Sequence, residues 1–149
     1  MNIEWEEFQK LMEAEMRKVY SETAVDHAMN PRNAGIMPGA NAFSWITGPC
    51  GDTMEIWLNI DNDVIIDATF MTDGCGTTIA AGSMVTEMAK GKSLLDSLKI
   101  GQQEVLNALG GLPEESKHCA LLVANTLKDA IRNYLGCHNE PQKRTGGSP

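Results

Sequence analysis

An α+β fold, with a small antiparallel sheet of about three strands packed against helices, is predicted from the periodicity of the apolar residues. Near both ends of the chain they recur at helical spacing, and between these regions they alternate at the strand period of two. The alternating stretch is interrupted at Asp61-Asn62-Asp63, residues that favour a tight turn between paired strands.

Residues 3–19 place Trp5, Phe8, Leu11 or Met12, Met16 and Val19 on one face, with Glu4, Glu6, Glu7, Glu13, Glu15, Arg17 and Lys18 elsewhere. They read as an amphipathic helix that must bury its stripe. The helical pattern continues from Tyr20 to Ala28 and stops at Asn30-Pro31-Arg32-Asn33-Ala34-Gly35, where proline restricts its neighbour. A loop to Asn41 leads to a strand over 42–47. Met54, Ile56, Leu58 and Ile60 then alternate with Glu55, Trp57 and Asn59, and residues 64–71 return as a hairpin with Ile66, Ala68 and Phe70 on one side. Thr77–Lys90 is helical, with Ile79, Met84 or Val85 and Met88 inward, and stops at Gly91. A short helix is expected after Ser93 and another over 102–109, closed by Gly110-Gly111-Leu112-Pro113. The last helix runs from Glu114 or His118 to Leu135, capped by Gly136. Its inner side is expected to carry Cys119, Leu122 or Val123, Thr126 or Leu127, Ala130 or Ile131, and Tyr134.

At 149 residues, 42% hydrophobic and 21% charged, the chain suits one soluble domain that needs no covalent staples. Twenty acidic against 12 basic residues give a formal charge of −8, which disfavours nucleic acid as a partner. No apolar run approaches the roughly 20 residues that cross a bilayer, and the acidic start Met1-Asn2-Ile3-Glu4 lacks a leader's apolar region, so a cytoplasmic protein without membrane contact is expected. In a reducing compartment the four cysteines read as metal ligands or reactive thiols before they read as disulfides.

Three of them occupy informative positions. Cys50 lies in Gly48-Pro49-Cys50-Gly51-Asp52 between two strands, where the glycines free the backbone to bring side chains 50 and 52 toward one point. Cys75, in Asp73-Gly74-Cys75-Gly76-Thr77, precedes a helix whose N-terminus favours a thiolate. Cys119 follows His118 near the start of the last helix. Thiolates and imidazole suit zinc or iron-sulfur clusters, and a carboxylate adds a harder, exchangeable oxygen. Cys50, Asp52, Cys75, His118 and Cys119 form such a set, although no C-x2-C pair marks a zinc finger. Each cysteine could equally be a small buried hydrophobe, most readily Cys119 on its apolar stripe. Lys90-Gly91-Lys92-Ser93 is no phosphate loop, because Thr86 stands where its first glycine would fall.

These residues occur within a longer pattern. Tyr20-Ser21-Glu22, Asp26-His27, Asn30-Pro31-Arg32-Asn33, Gly35, Pro49-Cys50-Gly51-Asp52, Gly74-Cys75-Gly76, Ile79-Ala80, Ser83, Val85-Thr86-Glu87, Gly91-Lys92-Ser93-Leu94 and His118-Cys119 together resemble the IscU/NifU-type iron-sulfur cluster scaffold. The resemblance implies a SufE/NifU-like fold over 20–138; the amphipathic helix over 1–19 is an extension longer than the family's usual lead-in, and the polar, Gly- and Pro-rich tail over 139–149 is expected to be disordered. It implies a scaffold and carrier rather than an enzyme: sulfur arrives as persulfide from a cysteine desulfurase, ferrous iron (Fe2+) is taken up, and a ferredoxin-type reductant supplies electrons. A [2Fe-2S] cluster, or a [4Fe-4S] one, is then passed to apo iron-sulfur proteins.

In family terms Cys50, Cys75 and Cys119 are ligands, Cys119 is also the persulfide acceptor, and Asp52 or His118 completes the coordination. Adjacent helical residues point about 100° apart, so His118 and Cys119 are not expected to serve one iron, and Asp52 is the expected resting ligand. His118 would exchange in during assembly or transfer. The family's Leu-Pro-Pro-Val-Lys segment is Leu112-Pro113-Glu114-Glu115-Ser116 here, so an Hsp70-type chaperone is the partner the resemblance supports least. Residues 1–19 read as a helix packed on the domain or as a homodimer or partner contact, and Cys137-His138 as an incidental pair or an accessory ligand. His27 is expected to bridge the N-terminal helix and the Asn30–Asn33 turn. Two other functions use the same residues. One is a Zn2+-binding regulator of the desulfurase; the other is a persulfide relay needing Cys119 alone.

Overall fold

A computed structural model describes residues 4–136; Cys137, His138 and the tail over 139–149 lie outside them. The sheet has three antiparallel strands in the order β1 (Ala42–Thr47), β2 (Thr53–Asp61) and β3 (Val64–Thr72). Asn62 and Asp63 both take positive φ, which is the two-residue turn that follows the twist of a hairpin. Alternation works as expected in β2, where Met54, Ile56, Leu58 and Ile60 all face the core. Trp57 is also buried, on the other face, against Phe43 at 5.1 Å between ring centres.

In β3 one expectation fails. Ala68 and Phe70 are inward, but Ile66 is 52% exposed and Ile65 is 0% exposed. Asn59 pairs with Asp67 while Ile60 pairs with Ile65, so β3 carries one extra residue there. Such a bulge exchanges the faces of everything beyond it.

The helices α1 (Trp5–Arg17), α2 (Glu22–Met29), α3 (Gly76–Ala89), α4 (Leu94–Ser97), α5 (Gln102–Leu109) and α6 (Lys117–Leu135) complete the fold, with a 3-10 turn at Glu114–Ser116. Helix α3 lies at the centre, packed by α2, β3, α5 and α6, and small residues let it be buried nearly all round. Its core side therefore includes Thr77, Thr78, Ala80, Ala81 and Ser83, while Ile79 and Met88 are only half-buried. Helix α6 crosses β1 and β2 with Leu122, Val123, Thr126, Leu127, Ala130 and Ile131 inward, whereas Tyr134 is exposed.

The N-terminal region corrects two further expectations. There is no continuous helix from residue 3 to 28: α1 ends at Arg17, and Ser21 starts α2 by accepting the Ala24 N–H at 3.0 Å. Nor is the apolar stripe covered, since Trp5 is 68% and Leu11 57% exposed and no residue of α1 is buried. Only the far end joins the domain, through Met16 over Gly76, the Arg17–Glu22 ion pair and the Tyr20 hydroxyl, which accepts from Thr77 at 3.0 Å. Among the described residues no helix is long and apolar enough to cross a membrane.

His27 is buried in α2, and its Nδ1 lies 2.7 Å from Ser83 Oγ. Ser83 Oγ also accepts the Arg32 N–H at 2.9 Å, so it joins the imidazole to the start of the turn that follows α2. Burial, reinforced by the Arg32 charge, holds the imidazole below its ordinary value. The unfolded chain therefore binds the proton first, and stability is expected to fall as pH drops below about 6.5. Melting at pH 7.5 and 5.5 tests this: the parent should lose more stability on acidification than His27→Gln, and an equal or greater loss in the variant would contradict it.

Candidate metal centre

The pairing of β1 with β2 and of β2 with β3 brings Thr47, Thr53 and Thr72 to one end of the sheet. The loops carrying Cys50, Asp52 and Cys75 start from that end. The 48–52 loop is closed by Gly48 N–H donating to Asp52 O at 2.8 Å and Gly51 N–H to Gly48 O at 3.0 Å. Gly51 has φ +92, a conformation open to glycine and strained for other residues. Asp73 Oδ1 accepts the Thr53 N–H at 2.8 Å, and Thr72 Oγ1 donates to Thr53 O at 2.6 Å while accepting the Gly74 N–H at 3.1 Å. These bonds clamp the two ligand loops together.

Cys75 is the N-cap residue of α3. Burial pushes its thiol up, but the N–H groups and hydroxyls of Thr78 and Thr77 outweigh that and hold it below the usual value. Cys119 occupies the first turn of α6, only 3% exposed. Burial pushes this thiol up; the Thr78 hydroxyl pulls against that, and Cys75, Cys50 and Asp52 push it further. Asp52, Cys75 and Cys119 also share a neighbour.

The link between them is Thr78, fully buried one turn into α3. Its Oγ1 donates to Asp52 Oδ2 at 2.8 Å and lies 3.4 Å from Cys119 Sγ and 4.0 Å from Cys75 Sγ. Gly74 leaves room for this contact: a Cβ there would stand 2.6 Å from Asp52 Oδ2 and 2.7 Å from Thr78 Cβ. Sequence reasoning passed over Thr78 because a hydroxyl is not a soft-metal ligand. The available signal was its spacing, three residues after Cys75 and thus one helical turn along the same face.

His118 Nε2 lies 3.8 Å from Cys119 Sγ, the imidazole bending toward its neighbour despite the 100° between their helical positions. Cys50 and Cys75 are exposed while Cys119 is buried, and none of the three is in a disulfide. Among the described residues no three His, Cys, Asp or Glu side chains already stand close enough together to hold an ion. An ion held by three of them would draw these side chains closer together. The donor chemistry suits iron or zinc, with sulfur for a soft metal and nitrogen and oxygen for an exchangeable position.

Alkylation under reducing conditions should therefore modify Cys75 before Cys119. Mass mapping of iodoacetamide adducts at pH 7 checks the order, and early labelling of Cys119 would contradict the burial described above. Lys117, next to His118, makes a surface ion pair with Glu114 at 3.1 Å.

The profile of the NifU-like N terminal domain family matches residues 19–141. A protein of Archaeoglobus fulgidus named iron-sulfur cluster assembly scaffold protein IscU 1 is 44% identical over 118 residues, covering 78% of this chain and 77% of its own length. The scaffold protein IscU of Aquifex aeolicus is 44% identical over 119 residues, covering 78% of this chain and 76% of that one. The nitrogen fixation protein NifU of Azotobacter chroococcum is 43% identical over 131 residues, 83% of this chain; the match spans 42% of that longer protein. Among solved structures, the N-terminal part of a NifU-like protein from Brucella abortus superposes with a TM-score of 0.64 at 19% identity, over 81% of this chain and 97% of that one, a likeness of fold. By sequence match over most of its length, this chain belongs to the NifU-like N terminal domain family.

Proposed function

We propose that the protein is a scaffold on which iron-sulfur clusters are assembled before transfer to apo-proteins. The observation that carries this reading is the gathering of Asp52, Cys75 and Cys119 around one buried hydroxyl, with His118 beside Cys119. Such a set offers thiolates to hold a cluster and harder groups to let it go. Relatives named as scaffold proteins support the same reading.

Cys50, Cys75 and Cys119 supply the thiolates, and Asp52 is the exchangeable oxygen donor. Sulfur arrives when the Cys119 thiolate attacks the terminal sulfur of a desulfurase persulfide. The donor's S–S bond breaks, its cysteine leaves as thiolate, and Cys119 becomes the persulfide. Because Cys119 is buried, it must be uncovered before the donor can reach it. Reduction of two such sulfurs to sulfide takes four electrons; two come from oxidation of two ferrous ions to ferric and two from a ferredoxin-type reductant, which balances an oxidised [2Fe-2S] cluster. The protein supplies ligands and position and turns over no small substrate.

Anaerobic reconstitution with a cysteine desulfurase, cysteine, ferrous iron and a reductant tests this. Visible cluster absorption that passes to an apo-ferredoxin is expected. Tight zinc that iron and sulfide never displace would overturn the proposal in favour of a regulatory zinc module. Sulfur passed on to acceptor proteins with no cluster ever formed, by the parent and by protein lacking Cys50 and Cys75 alike, would favour a simple relay.

A further inference from the structure

Asp52 has a second partner within the protein. Its Oδ2 takes the proton of the Thr78 hydroxyl at 2.8 Å, inside a helix that is buried nearly all round. An ionised carboxylate only accepts, and a threonine has one proton to give, so at this geometry Thr78 cannot also donate to Cys119 or Cys75. Both sulfurs nevertheless lie within 4.0 Å of the same oxygen. The carboxylate therefore sits at the rim of the thiol group with one oxygen already satisfied. Gly74 keeps that arrangement open, since any Cβ would collide with both the carboxylate and Thr78.

We infer that Thr78 is a positioning residue that makes Asp52 the exchangeable ligand, by offering its carboxylate a hydrogen-bonded resting place beside the metal position. This rests on the scaffold reading of the site. A carboxylate leaving a metal in a half-buried loop would otherwise exchange that bond only for water on its exposed side. With Thr78 it exchanges a metal bond for a charge-assisted hydrogen bond, which lowers the cost of opening. In this role Thr78 acts through Asp52.

Co2+ alone serves as the probe, because thiolate coordination gives it a near-ultraviolet charge-transfer band that can be followed as the ion is lost to excess chelator. Thr78→Val should release Co2+ about tenfold more slowly than the parent, as the unbound carboxylate loses its donor. Thr78→Ser should release it at the parental rate. In an Asp52→Ala background, Thr78→Val should change nothing. A variant merely loosened in structure would release the ion faster, so the direction separates the two explanations. If valine prevents folding, Thr78→Ala removes the same hydroxyl from the helix and carries the same expectation. Release at or above the parental rate, or equal slowing without Asp52, overturns the inference and leaves the scaffold reading standing. A parent that never develops the thiolate band overturns both.

Discussion

Cluster-loaded protein with Asp52→Ala should pass its cluster to an apo-ferredoxin about tenfold more slowly than the parent, a barrier about 1.4 kcal/mol higher. The reason lies in the donor set. Carboxylate oxygen is the hardest and most readily exchanged of the proposed ligands, and without it His118, whose Nε2 is 3.8 Å from Cys119 Sγ, is the expected replacement. Imidazole suits iron better than carboxylate does, so the replacement position should hold more firmly. Adding His118→Ala to Asp52→Ala should then shorten the cluster lifetime again. Stopped-flow transfer assays on the parent and the variants give the comparison. An Asp52→Ala protein that shed its cluster as fast as the parent would remove the carboxylate from the mechanism.

Gly82→Ala should destabilise the domain by about 1–3 kcal/mol, which for a chain of this size lowers the melting temperature by roughly 3–12 °C. Elsewhere in a helix this exchange would help, because alanine is the better helix former. Here an added Cβ would stand 2.5 Å from Phe70 Cδ2 and 2.8 Å from Cε2. The ring is itself buried between β3 and α3 and cannot swing away. Either Phe70 or α3 must shift, and α3 carries both Cys75 and Thr78 at its start, so Co2+ binding should weaken together with stability. Phe70→Leu in the Gly82→Ala background removes the colliding ring edge and should recover part of the loss. A thermal melt in which Gly82→Ala matched or exceeded the parent would show that the helix and strand are less tightly opposed than described.

The sheet and most helix ends were legible in the sequence because each is set by local rules. Alternation at 54–60, the Asp61–Asp63 turn and the capping glycines at 110 and 136 all act within a few residues. Val19 and Tyr20 extended the helical pattern across a real break, which the N-cap Ser21 marks but apolar spacing hides. Ile66 was assigned inward because a strand pattern contains no sign of an extra residue, and the bulge opposite Asn59 and Ile60 is a property of pairing. Helix α3 resisted a periodic reading because its burial comes from neighbours on nearly every side, with Ala80, Ala81 and Ser83 small enough to admit them.

At the site, ligand types and their flanking glycines could be read directly. What could not be read was depth. Cys119 lies under Thr78, and its burial follows from how α6 meets α3, a tertiary contact with no local signature. The return of His118 toward Cys119 is a matter of side-chain rotation, which helical position alone does not fix. The uncovered stripe of α1 is the converse case, a strong amphipathic pattern that this chain's own fold leaves unused.

Iron X-ray absorption of anaerobically assembled protein, with acid-labile sulfide measured on the same samples, probes the ligand sphere most directly. The parent should show iron bound by sulfur with a minor shell of oxygen or nitrogen, that minor shell should change in Asp52→Ala, and Cys50→Ser, Cys75→Ser and Cys119→Ser should each lower iron and sulfide together. Unchanged iron and sulfide in all three serine variants would mean that these thiols do not hold the cluster.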